Sequence, residues 1–103
     1  MRKDETYIGI DQDQFGGMTD IGRILRDAQA FGLIAETETG AGWTAQAIER
    51  LWEKVQQRWG EYGFSVQNFP DDIRARYLAI QEAAISRARS QGWDPDFDLE
   101  NDV

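Results

Sequence analysis

From Thr44 to Tyr62 the apolar residues Ile48, Leu51, Trp52, Val55 and Trp59 recur at i, i+3, i+4, i+7 and i+11, and Tyr62 continues the row. A period near 3.6 puts them on one side of an α-helix, and a chain that contains such a helix must supply apolar partners to cover it. Thr44 stands where its hydroxyl can accept a free backbone N–H of the first turn, while Gly60 and Gly63 stand where the helix should stop. Both tryptophans are expected on the buried side, where replacing either by alanine should cost about 3–5 kcal/mol.

Two more stretches repeat the pattern. Ile21, Ile24, Leu25, Ala28 and Phe31 fall at i, i+3, i+4, i+7 and i+10, behind Thr19 or Asp20 as cap and ahead of Gly32. Between Asp71 and Ser90 the stripe is Ile73, Tyr77, Ile80, Ala84 and Ala88; Pro70 suits the helix start, Asp71 and Asp72 complement its dipole, and Gly92 ends it. The fold expected is all-α: a compact three-helix bundle of helices near 20–32, 44–60 and 71–90, with an extended N-terminal segment and an acidic, disordered C-terminal tail. The domain division is a flexible or extended segment at 1–19, a helical domain at 20–93 and a tail at 94–103.

Between these helices the signals are weaker. Thr6-Tyr7-Ile8-Gly9-Ile10 is β-prone but too short for a sheet, so it is expected to wrap the bundle, and Gly16-Gly17 reads as a hinge. Gly63 to Phe69 alternates like a short extended segment, with Phe64, Val66 and Phe69 tucked against the core. Leu78 and Ile85, one heptad apart, project to one side of the third helix's core stripe. They either widen the buried face or form a separate seam, a row surplus to the three-helix core unless the Tyr7-Ile8-Gly9-Ile10 segment covers it.

Composition removes whole classes of function. The 103 residues include no cysteine and no histidine, which rules out disulfides, thiolate nucleophiles, Cys/His zinc sites and imidazole acid–base chemistry. No apolar run approaches a membrane span and no apolar signal core follows the N-terminus, so a soluble, cytoplasmic protein without a membrane partner is expected. The net charge of −8 is unevenly placed. Residues 1–20 carry −3 and residues 94–103 carry −5, while residues 21–93 hold nine charges of each sign. Acidic ends of this kind repel nucleic acid.

Several motifs come close to a function and fail on context. Gly40-Ala41-Gly42-Trp43-Thr44-Ala45 matches the dinucleotide pattern GxGxxA but follows Glu-Thr-Glu-Thr instead of a buried strand. Asp11-Gln12-Asp13 and the alternating acids of the tail resemble the opening of a calcium loop, yet neither completes it. Arg50, Lys54 and Arg58 form a basic row that reads as a solvated helix face, and the three serines have no histidine partner. No catalytic, cofactor or metal residues are therefore assigned, and no enzyme is expected.

The function expected is that of a non-enzymatic small helical protein acting through protein–protein contact, as adaptor, accessory subunit or regulator, with a homodimer as one form. Leu78, Ile85, Trp93, Phe97 and Leu99 are the candidate contact residues. The alternative is an acidic, antitoxin-like inhibitor that occupies a basic nucleic-acid-binding site on its partner. The tail is expected to be dispensable for folding.

Overall fold

The computed structural model describes residues 6–94. Expectations that fall on residues 95–103, including the disordered tail and the roles of Phe97 and Leu99, lie outside the described residues. Among those described are three helices, α1 (Asp20–Ala30), α2 (Ala45–Glu61) and α3 (Asp71–Ser90), with short 3₁₀ turns at Ile10–Gln12, Gln14–Gly16 and Val66–Asn68. The three-helix, all-α architecture is therefore as expected.

Local chemistry sets the helix ends. Thr19 Oγ1 accepts from Gly22 N at 3.1 Å, and Thr44 Oγ1 accepts from Ala47 N at 3.2 Å, each satisfying a donor that the first turn leaves free. α1 stops two residues before the expected bound. Gly32 takes φ 73° and lets Leu33 N–H return to Ala28 O at 2.9 Å, an arrangement a residue with Cβ adopts only under strain.

The helix around which the molecule is built is α1, although α2 is the longer. α2 and α3 both pack on α1, so nearly its whole circumference is covered: Leu25, Arg26, Asp27, Ala28, Gln29 and Ala30 are all buried. On the α3 side the contact is through small residues, with Ala84 and Ala88 buried. Gly22 permits another close approach, since a Cβ there would lie 1.9 Å from the Gly17 carbonyl oxygen. Gly16-Gly17 is thus a packed corner of the fold and not a hinge; Gly17 O accepts a hydrogen bond from Arg26.

The N-terminal segment belongs to the same body. Tyr7 N–H donates to Trp43 O and Gly42 N–H to Tyr7 O, both at 2.8 Å, and Ile10 N–H donates to Thr39 O at 3.0 Å. These bonds lay residues 6–10 antiparallel to residues 39–44, with one bridge between Thr6 and Thr44. Tyr7 and Ile10 are buried members of the core. At the far end of the bundle Phe31, Trp59, Tyr62, Phe69 and Tyr77 form an aromatic cluster with ring centroids 5.1 to 6.2 Å apart, which ties all three helices together.

Two aromatic residues expected inside are outside. Trp52 is 42% exposed. At 100° per residue it lies roughly 60° round the helix from Val55, at the margin of a stripe whose centre α1 already fills through Ile48, Leu51 and Val55. Phe64 is 66% exposed and takes φ 58°. Its backbone N–H closes the end of α2 on Trp59 O at 2.8 Å, which turns the side chain away from the core that Val66 and Phe69 reach.

Candidate functional site

The seam on α3 stands open. Leu78 is 55% and Ile85 36% exposed, while Ile73 and Tyr77 pack against the core cluster and Ala84 and Ala88 are buried. The N-terminal segment covers a different side of α3: Ile10 shares a depression with Ile80, Ala83 and Arg87, and Gly16 lies against Arg87 and Gln91. Leu78 and Ile85 are thus brought onto one bare line. Trp93 is half-buried in a turn after α3, where Gly92 at φ 94° lets Trp93 N–H reach back to Ala88 O at 2.9 Å.

A second apolar surface escaped the sequence reading. Ile24, Ala45, Ile48 and Trp52 line a groove of about 500 Å³ between α1 and α2, with Asp20, Arg23 and Glu49 at its rim. Trp52 also walls a shallower depression that ends at Phe64, bordered by Arg50, Glu53 and Lys54. Both features depend on Trp52 lying outside, and the second on Phe64 as well. The one local hint was that Trp52 sits at the edge of its stripe.

The buried charges hold the body together. Asp27, 5% exposed, accepts from Trp59 Nε1 at 3.1 Å and so links α1 to α2. Burial pushes the Asp27 carboxyl up, against the opposing effects of the Trp59 hydrogen bond and the charges of Arg23 and Arg26. Arg26, 3% exposed, has its pKa lowered by burial and is favoured in return by Asp27. Arg76 Nε donates to Ala30 O at 2.9 Å, binding α3 to the end of α1. In the N-terminal corner Asp13 Oδ2 accepts from Tyr7 Oη at 2.7 Å and Thr19 Oγ1 at 2.6 Å, and Oδ1 accepts from Gln14 N at 2.7 Å. Burial alone would raise the Asp13 carboxyl; the three hydrogen bonds outweigh it and hold the group below its ordinary value. The Tyr7 hydroxyl is pushed well above its own, by burial first and then by Asp13.

These contacts account for the near-miss motifs. Asp13 spends its oxygens on Tyr7, Thr19 and Gln14, and among the described residues no group of carboxylates is placed to hold a metal ion. Gly40 of the GxGxxA run serves packing, because a Cβ there would lie 2.6 Å from Leu25 Cδ1. Arg50, Lys54 and Arg58 are exposed along α2, and Arg58 pairs with Glu61 at 3.8 Å. No helix among the described residues is long and apolar enough to cross a membrane. No protein-family model matches the chain, and no curated protein or solved structure is significantly similar to it.

Proposed function

We propose that this protein is a non-enzymatic interaction module, an adaptor, accessory subunit or regulator, that binds another protein through the outer face of α3. The observation that supports the reading is the pair Leu78 and Ile85, exposed one heptad apart on a helix whose core-facing stripe is already complete without them. Leu78 and Ile85 are already partly covered, so burying the rest of each against a partner would contribute about 0.5–1.5 kcal/mol, one part of a contact that a polar rim would complete. Spacing of i and i+7 on a 20-residue helix suits an amphipathic helix of the partner, and a second copy of this chain would be the symmetric case.

The Leu78→Glu/Ile85→Glu double variant tests the reading, because both changes fall on exposed positions. Sedimentation and affinity capture should show the assembly or the retained partner lost, with the melting temperature kept. Outright unfolding would mean that both residues are core. Binding that survives the double variant and falls steeply with salt would favour the acidic inhibitor, since charge-carried affinity is screened and an apolar seam is not.

A further inference from the structure

We propose that the groove between α1 and α2 is a binding site for a small organic cation, an amine carried on an apolar body. The groove shares no residue with the Leu78/Ile85 face, so the proposal stands or falls apart from the partner reading.

Three observations carry it. The first is shape. A volume of about 500 Å³ lies within the roughly 300–1,000 Å³ in which proteins hold small molecules, and the lining is of the same kind, an apolar floor with a few polar groups at the rim. Ile48 belongs to the core cluster and Ile24 packs against it, so the fold fixes that floor. Trp52 forms a wall and keeps 42% of its surface open.

The second is charge. Asp20 opens α1 and Glu49 stands one turn into α2, so each helix brings one carboxylate to the rim. Among the described residues neither carboxylate is in an ion pair. Arg23, the one base at the rim, lies toward the buried Asp27 and favours its charge. Both helices begin beside the groove, but the first-turn donors that would attract an anion are partly taken by the Thr19 and Thr44 hydroxyls, and Asp20 is set against the α1 dipole. On the other side of Trp52 the sign reverses, since the depression toward Phe64 has Arg50 and Lys54 against Glu53. The groove is thus the acidic flank of Trp52, on a chain whose net charge of −8 draws cations over long range.

The third is the indole itself. The electron-rich face of a tryptophan ring attracts a cation within about 6 Å of its centre, and does so more strongly than a phenyl ring. An ammonium held between Trp52 and the two carboxylates keeps its remaining protons in water, while the apolar body it carries displaces water from Ile24 and Ile48.

The test is an NMR titration of the full chain with phenylbutylamine, phenylbutanol and phenylbutyrate, one skeleton with three end groups, read at the methyl resonances of Ile24 and Ile48. The amine should shift both at millimolar concentration and bind about fivefold more tightly than the alcohol, with the acid weakest, and its margin should shrink as salt is raised. In Asp20→Asn/Glu49→Gln, where both positions are exposed and the changes nearly isosteric, that margin should vanish while the alcohol still binds. Equal affinity for amine and alcohol in the parent, or an unchanged margin in the double variant, would overturn the proposal. Tightest binding of the acid would also overturn it, by giving the groove to Arg23 and the helix N-termini, as would resonances that none of the three compounds moves. A short apolar peptide with one lysine that competes at about tenfold lower concentration would overturn the small-molecule assignment in favour of a partner protein.

Discussion

Asp27 and Asp13 are both partly or wholly withdrawn from water, yet they pull the pH dependence of stability in opposite directions. The folded pKa of Asp27 lies above its ordinary 3.8, so its favourable contribution is complete below that value and is lost as pH rises through the raised one. At neutral pH the native state therefore bears the cost of a buried carboxylate. Asp27→Asn keeps an oxygen for the Trp59 N–H and removes the charge, so its melting temperature near neutrality should equal or exceed the parent's, with any advantage gone at about pH 3. A clear loss near neutrality would mean that the charges of Arg23 and Arg26 outweigh the burial.

Asp13 has the reverse sign. Its folded pKa lies below 3.8, so its contribution is present above that value and disappears as pH falls through the lowered one. Asp13→Asn retains one acceptor but sets an amide against three donors, and with solvent screening should cost about 1–2 kcal/mol near neutrality. Denaturant midpoints at neutral and acid pH would show the two variants diverging at the first and converging on the parent at the second. A neutral-pH midpoint for Asp13→Asn equal to the parent's would rule out the carboxylate as what fixes this corner.

At the scale of the element, α2 sorts its two tryptophans into different environments, and the sorting is measurable. Trp59 packs in the aromatic cluster and donates to Asp27, so Trp59→Ala should cost about 3–5 kcal/mol. Trp52 is 42% exposed, and Trp52→Ala should cost only about 1–2 kcal/mol while enlarging the α1–α2 groove. Equal losses in the two variants would contradict the exposed position of Trp52. Helix positions were legible in the sequence because their determinants are local: the hydroxyls of Thr19 and Thr44, the glycine at 32 and the repeat of apolar residues. Which margin residue faces a neighbour was not, since that depends on how far α1 extends beside α2. For Leu78 and Ile85 the sequence left two outcomes, a widened buried face or a separate seam, and both side chains stand exposed. The groove beside Trp52 could not be read.

At the scale of the molecule, the centrality of α1 was hidden by its own chemistry. Arg26, Asp27 and Gln29 lie off the apolar stripe, and their burial is offset by hydrogen-bond partners that Gly17, Trp59 and Glu38 bring from other parts of the chain. The same long-range pairing draws Tyr7 and Ile10 into the core. That sandwiched position also has a consequence for biosynthesis. A ribosome releases α1 before either helix that will enclose it, so the growing chain must carry its innermost helix uncovered until the alanines of α3 emerge near residue 88. Folding of this body waits for α3, and whatever attends the nascent protein meets α1 before it is enclosed.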